Sequence, residues 1–263
     1  MVITGDYHTH TVFSHGKGKI IDNANMAKEK GLKELGISDH GFAHPAFGLS
    51  AGKIAKMKTL CIDASSKTGV NVLLGIESNI IGTDGTVDLK EKYYKDFDLF
   101  LAGIHKFVMY KFKTAFKLGF PDVFYSYLKK KEIPKSLIKE NTKTFINVIK
   151  NNPVDVITHL NFCCFSDVNE VTKVAAEYGT FIELNAKKTH LTDEEIFIAH
   201  NNGAKFIINS DAHSPSRVGE ISLVEETLKR ISIPTEAIVN IDGKIPDFRF
   251  KKFKETSLWN SPK

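Results

Sequence analysis

Gly5-Asp6-Tyr7-His8-Thr9-His10 is the stretch on which the rest of the chain converges. It follows the short apolar run Val2-Ile3, so Val2 to Tyr7 reads as a first buried strand with the two histidines at its end. Alternate side chains of an extended chain point the same way, which puts His8 and His10 on one side, about 6–7 Å apart along the backbone. Two imidazoles so placed can converge on one metal ion at roughly 2.1 Å from each nitrogen, whereas neighbouring residues could not. Alone, an HxH is a weak signal; its weight comes from the residues that end the other strands.

Working outward, short apolar runs alternate with longer amphipathic ones. The strands expected are Val2 to Tyr7, Leu35 to Ser38, Asn71 to Ile76, Asp98 to Ile104, Val154 to Thr158, Thr180 to Leu184 and Lys205 to Ser210. Helices are expected over Asn23 to Lys30, Ala51 to Ser66, Leu89 to Tyr94, Ser136 to Lys150, Asp167 to Tyr178, Asp193 to Asn202 and Ser216 to Arg230. Gly31, Gly69, Gly179 and Gly203 stand just past helix ends, and Thr192-x-x-Glu195 has the form of a capping box. Serial βα units imply a parallel sheet, and closing it into a barrel removes the exposed edges. The fold class expected is α/β, a distorted seven-stranded TIM-like barrel.

In such a barrel the chemistry sits at the C-terminal ends of the strands. Strand one ends in His8 and His10, strand two in Asp39-His40, strand three in Glu77, strand four in His105, strand five in His159 and strand seven in Asp211-Ala212-His213. Strand six ends in Glu183-Leu184-Asn185, polar but less distinctive. With His15 in the loop after strand one, seven of the ten histidines are accounted for. A lone His at a strand end is ordinarily a hydrogen-bonded loop residue, but such accidents would scatter over strands and helices alike. Placement at one end of nearly every strand makes a cluster. His8, His10, His15, His40, Glu77, His105, His159, Asp211 and His213 contain no cysteine, which favours zinc, manganese or iron. They are also too many for one ion, so the site expected is multinuclear and catalytic.

At 263 residues and 42% hydrophobic, the chain can bury one large core, and residues 1–263 read as a single barrel domain. Cys61, Cys163 and Cys164 offer no disulfide framework, and no leader or membrane-spanning run is visible, so a soluble cytoplasmic protein without a membrane partner is expected. Nothing in the sequence sets an oligomeric state. The net charge of +5 is uneven: residues 106–150 hold eleven lysines and three acids, +8, leaving −3 elsewhere. That segment also holds nine of the 27 aromatic residues. A second basic stretch, residues 244–263, forms a C-terminal tail.

Asp-Tyr-His-Thr-His-Thr, Ile-Ser-Asp-His-Gly, Gly-Ile-Glu-Ser-Asn, Ala-Gly-Ile-His, Ile-Thr-His and Asn-Ser-Asp-Ala-His, in this order from about Asp6 to about Arg230, resemble the motifs of the PHP (polymerase and histidinol phosphatase) family. The likeness is closest to its small stand-alone phosphoesterases. It implies a distorted (β/α)7 barrel with three divalent ions: His8, His10, Glu77 and Asp211 around one, Glu77, His105 and His159 around a second, and His15, His40 and His213 around a third. It also implies hydrolysis of a small phosphomonoester, histidinol phosphate or a nucleotide being representative, by a metal-bridging hydroxide. The chain departs from the family in the long basic segment after His105, in Asn-Ala-Lys-Lys after Glu183-Leu184 and in Leu160 after His159. Amidohydrolases also begin with HxH but typically bridge their metals with a lysine at the end of strand four, where this chain has His105.

Glu77, Asp211 and Asp39 are the candidate catalytic residues, Asp39 as an acid for the leaving group or an orienter of an imidazole; Asp6 could orient one too. Arg217, Lys187 and Lys188 are candidates for binding the substrate phosphate, although Arg217 could equally pair with Glu220 on its own helix. His44, His190 and His200 fit no ligand pattern, and Cys163 and Cys164 read as packing residues. The insertion at 106–135 reads either as a lid whose lysines, Lys129 to Lys131 among them, attract an anionic substrate, or as two short helices whose rings pack on the barrel. Its charge keeps two other readings open, a nuclease trimming 3′ ends of single-stranded nucleic acid and a non-catalytic metal-containing nucleic-acid-binding module.

Overall fold

The computed structural model describes residues 1–106, 108–128 and 133–256. Seven strands lie parallel in sequence order: β1 (Gly5–Thr9), β2 (Glu34–Ile37), β3 (Asn71–Asn79), β4 (Leu99–Gly103), β5 (Val156–Ile157), β6 (Phe181–Asn185) and β7 (Phe206–Asn209). The helices are α1 (Ile20–Glu29), α2 (Ala51–Thr68), α3 (Phe112–Thr114), α4 (Phe120–Leu128), α5 (Lys135–Asn151), α6 (Val168–Tyr178), α7 (Asp193–Asn201), α8 (Ser222–Arg230) and α9 (Arg249–Glu255). The outer strands β1 and β7 meet where His10 N–H donates to Ala212 O at 2.8 Å and Tyr7 N–H to Asn209 Oδ1 at 2.9 Å, so the sheet is a nearly closed barrel. The expected α/β barrel is therefore the observed one.

Strands buried on both faces should be apolar throughout, and Leu99 to Gly103 and Phe206 to Ile208 are. Tyr7, Leu99, Leu101, Val156, Phe181 and Ile207 fill the barrel interior, and Phe248 from the C-terminal segment plugs it below, 5.0 Å from Tyr7 between ring centroids. The larger layer, between sheet and helices, is built by residues such as Ile37, Phe100, Ile182, Ile208 and Phe250. This filled interior leaves room for a site only above it, at the C-terminal strand ends.

Three elements differ from the sequence reading. The first strand begins at Gly5, because Val2 and Thr4 pair instead with the C-terminal segment through Asp242 N–H to Val2 O and Thr4 N–H to Asn240 O. The helix expected at Leu89 is a 3-10 turn at Glu91–Asp96. The helix expected from Ser216 is split into a 3-10 turn at Pro215–Arg217 and α8, because Gly219 between them adopts a φ of +68°. The Thr192/Glu195 capping box is present, as are left-handed caps at Gly69 and Gly179.

The insertion after β4 runs through α3, a π-helical turn at Ala115–Gly119 and α4. Helices are the expected form here, but rings packed on the barrel are not what forms: Phe112, Phe116, Phe120 and Phe124 are exposed, and the side turned inward carries Thr114, Leu118, Gly119 and Asp122. Lys129, Lys130 and Lys131, and the end of the tail from residue 257, lie outside the described residues. Asp122 is 2% exposed; Asn141 Nδ2 donates to its Oδ1 at 2.8 Å, while its Oδ2 and Asn141 Oδ1 have no hydrogen-bond partner among the described residues. Burial pushes this carboxyl up to about 7 from its usual 3.8, against the bond from Asn141.

A carboxyl whose folded-state pKa is raised stays protonated in the native state after the unfolded chain has lost its proton. Stability therefore falls as pH rises between these two values and the penalty is complete above the higher one. Asp122→Asn should accordingly be more stable than wild type by a margin that grows from about pH 4 to about pH 7 and then levels off, reaching the order of 1–4 kcal/mol. Calorimetric melting of both proteins across this range checks it; a difference independent of pH would contradict the titration.

Candidate metal centre

The residues at the strand ends meet around Glu77. Its carboxylate is 1% exposed, and His105 Nε2 lies 2.9 Å, His159 Nε2 2.7 Å and His8 Nε2 3.2 Å from its Oε1. On the other side His40 Nδ1 is 2.9 Å and His10 Nε2 3.6 Å from Oε2. Burial alone would raise the Glu77 pKa, but the ring nitrogens of His105, His8 and His40 close around it outweigh burial and hold the carboxyl well below the usual range.

Register explains how these side chains come to share one space. Leu73 and Glu77 on β3, Leu101 on β4, Phe181 and Glu183 on β6, and Ile207 and Asn209 on β7 stand an even number of residues apart, all on the inner face. Tyr7 also points inward, so a regular strand would turn His8 outward. The register shift between Asp6 and Thr9 against β2 brings His8 to the same side, where His8 Nδ1 lies 2.7 Å from Glu183 Oε1. Asp211 and His159 sit at φ of +49° and +32°, conformations that non-glycine residues rarely adopt, which aim both side chains back over the barrel.

Three triads of side chains could each hold an ion: His8, His10 and Asp211; His40, Glu77 and His105; and His10, His40 and His213. His159 joins through Glu77, and His15 stacks on His40 at 4.8 Å and approaches His213 at 4.3 Å between ring centroids. All nine ligands expected from the sequence are thus gathered, with His10 and His40 shared between groups rather than divided as the family motifs imply.

Two features show that this donor set fits divalent cations. The Nε2 atoms of His8 and His10 face each other at 3.1 Å, where at most one can carry a proton. In addition, Nδ1 of His10, His105 and His159 is buried without a hydrogen-bond partner among the described residues, which in a native interior points to an ion or a water. Burial lowers the His10 pKa well below its usual value and brings those of His105 and His15 to about 4, so these rings stay neutral, as a metal requires. Asp211 is held well below the usual carboxylate range, burial opposing and His8 and His10 prevailing. For His8 burial is outweighed by Glu77, Glu183 and Asp211, so positive charge is drawn to this point.

The centre opens into a cavity of about 320 Å³ whose walls include Phe162, Lys187, Lys188 and His190. Lys187 Nζ lies 3.4 Å from Asp211 Oδ2 and 3.1 Å from His213 Nδ1. Arg217 is not among the cavity's walls; its Nη2 donates to Ala186 O at 3.4 Å. Asp39 is buried and accepts from Thr11 N–H at 2.8 Å, Thr11 Oγ1 at 2.5 Å and the Ser14 hydroxyl, so it shapes the loop after His10. Asp6 accepts from the backbone N–H groups of Ser210 and Gly219 and orients no imidazole.

Three polar residues matter more here than the sequence suggests: Glu183, which reads there as less distinctive, His190, which fits no ligand pattern, and Asp88, which no motif marks. Glu183 accepts from His159 N–H at 2.8 Å and from Asn185 and Asn209 as well as facing His8; its place at the end of β6, level with the other ligands, was the available signal. Asp88 is buried nine residues beyond Asn79, the end of the strand-end motif, where it accepts from Ala43 N–H at 2.7 Å and from Ser78 and Asn79, fixing the loop after His40. His190 rests on Phe162 at 5.0 Å between ring centroids, a contact no spacing announces. His44 Nδ1 accepts from Ala46 and Phe47 N–H groups and stays out of the ligand set, as expected.

A PHP domain model matches residues 6–191. The chain belongs to the PHP family. It is 31% identical over 263 residues to a probable phosphatase of Thermoanaerobacter sp. (strain X514), covering 96% of each chain. A probable phosphatase of Proteus mirabilis (strain HI4320) is 32% identical over 254 residues, covering 92% of each. Among solved structures, the histidinol phosphate phosphatase of Lactococcus lactis, complexed with zinc, L-histidinol and phosphate, superposes with a TM-score of 0.58 over 89% of this chain and 95% of that one. At 13% identity that likeness concerns the PHP barrel fold. The expected assignment of the chain to the metal-dependent phosphoric ester hydrolases agrees with the family and with the names of both relatives.

Removing the charge of Glu183 should loosen the imidazoles that it orients. Glu183→Gln is expected to bind zinc or manganese about 10–100-fold more weakly while keeping its circular dichroism spectrum. Calorimetric metal titration checks this, and wild-type affinity in the variant would show that Glu183 is not needed to orient His8.

Proposed function

We propose that this protein hydrolyses a small phosphomonoester at a trinuclear metal centre held by His8, His10, His15, His40, Glu77, His105, His159, Asp211 and His213. The observation that carries the reading is the encirclement of buried Glu77 by five imidazoles at the floor of an open cavity. Bound divalent ions would supply a water acidic enough to attack at neutral pH and positive charge against the phosphoryl oxygens. Glu77, flanked by His105 and His159 on one oxygen and His40 on the other, would help to hold two of the ions, and Asp211 with His8 and His10 would hold one near the mouth. Asp39 acts by position, through Thr11 and Ser14, whose hydrogen bonds occupy both of its oxygens.

Lys187 projects beside Asp211 and His213 and Lys188 lines the same wall, so both meet the phosphate as it enters. Phe162 and His190 form the side against which the organic part of the ester rests. A cavity of about 320 Å³ suits a compact ester of the size of histidinol phosphate, whose two parts, L-histidinol and phosphate, are bound in the Lactococcus lactis structure, or of a mononucleotide.

Purified protein with added manganese or zinc should turn over p-nitrophenyl phosphate and at least one of histidinol phosphate and the nucleoside monophosphates. Elemental analysis should approach three ions per chain. Glu77→Gln should lose at least about a thousandfold in kcat and release at least one ion without unfolding. Wild-type turnover in that variant would remove this role of Glu77 from the account. Release of nucleotides from single-stranded DNA without hydrolysis of any small ester would replace the phosphatase reading by that of a nuclease.

A further inference from the structure

The segment between β4 and α5 turns its apolar side chains outward. Phe112, Phe116, Phe120 and Phe124 recur at every fourth residue and are 80, 61, 63 and 50% exposed, with Met109 ahead of them at 61%. A helical run that packs on a core does the reverse. Neighbouring rings meet edge to face or tilted, Phe112 with Phe116 at 5.2 Å and Phe116 with Phe120 at 5.4 Å, so the side chains form one continuous strip. An exposed, continuous apolar strip of this length marks a contact surface, unlike the exposed apolar side chains scattered elsewhere, such as Ile62 and Phe197.

Its chemistry narrows the partner. Residues 106–131 contain seven lysines and one acid, Asp122, which is buried. Lys113 stands exposed between the rings, and the sequence Lys129-Lys130-Lys131 follows directly on the last turn of α4. A second copy of the chain would bring two equally basic segments together. Single-stranded nucleic acid would satisfy the charge, but base stacking uses ring faces presented one by one, and here the rings are packed against one another. An anionic lipid surface accepts both parts: apolar rings enter the boundary between headgroups and acyl chains, and lysines meet the phosphates.

We propose that residues 109–128 dock the protein on anionic phospholipid bilayers, with Phe112, Phe116 and Phe120 entering the membrane boundary. The docking is peripheral, since no helix among the described residues is long and apolar enough to cross a membrane. It revises the expectation of no membrane partner, which rested on the lack of a spanning run, and it stands independently of the reaction proposed above. The strip has a firm root: Tyr110 Oη donates to His105 O at 2.7 Å, and Lys111 N–H to Ile81 O at 3.0 Å. Docking therefore holds the mouth of the metal cavity near the lipid surface.

Co-sedimentation with vesicles of phosphatidylcholine alone, and of phosphatidylcholine with roughly a third phosphatidylserine, tests the proposal. Wild type is expected to bind the anionic vesicles at least about tenfold more tightly than the neutral ones, less so at high salt. The variant F112S/F116S/F120S should lose that binding while keeping its melting temperature and its hydrolysis of p-nitrophenyl phosphate. As a second probe, Phe116→Trp in a Trp259→Phe background should shift its emission to the blue when anionic vesicles are added. Failure of wild type to bind anionic vesicles, or unchanged binding by the triple variant, overturns the proposal. So does a concentration-dependent dimer, or single-stranded DNA binding, that the triple variant abolishes while vesicle binding persists.

Discussion

A carboxylate removed from water is expensive unless positive charge surrounds it, and Glu77 is such a carboxylate at the centre of this barrel. Five imidazoles within 3.6 Å of its oxygens supply dipoles and, at His8, a site that favours positive charge. They cannot all supply protons, since burial keeps His10 and His105 neutral. Negative carboxylates and neutral imidazoles crowded without enough protons between them are compensated by cations. The scaffold follows from that need, because β3 delivers Glu77 to the middle of the sheet and strands on both sides deliver the rings.

Holding that arrangement costs backbone freedom in three places. The register shift in β1 brings His8 inward, and Asp211 and His159 adopt left-handed conformations. Each is braced from behind. Asp6 binds the N–H groups of Ser210 and Gly219 below Asp211, Glu183 binds that of His159, and Asp39 ties down Thr11 and Ser14 beyond His10. Buried acids outside the metal cavity thus position the residues that line it, the usual division of labour around a metal centre. Lys187 stands where this rigid group meets solvent, beside Asp211 and His213.

Much of this was legible in the sequence because a parallel barrel puts its chemistry at one fixed point of each repeat. Glu77, His105 and Asp211 could be placed from apolar runs alone, and their order carried the family likeness. What could not be read depends on details below that period. Glu183 sits where a ligand should, yet its partner His8 faces it only because of the irregularity in β1, which no alternation pattern shows. Arg217 had the right position in sequence, but Gly219 breaks the expected helix and turns the guanidinium to Ala186 O. The phenylalanines of the insertion follow a helical period, and period does not say which side faces the core. There the inner side is taken by Thr114, Gly119 and Asp122, the last held by Asn141.

The central claim, that the charge imbalance around Glu77 is met by divalent cations, is tested most directly by anomalous diffraction from crystals of protein prepared with manganese or zinc. The account predicts peaks among His8, His10 and Asp211, beside Glu77 and His105, and next to His40 and His213, each about 2.0–2.2 Å from its nitrogen and oxygen ligands. It also predicts that the nitrogens of His8 and His10 no longer share a proton. Density without anomalous peaks, with His8 Nε2 and His10 Nε2 still hydrogen-bonded at 3.1 Å, would contradict it.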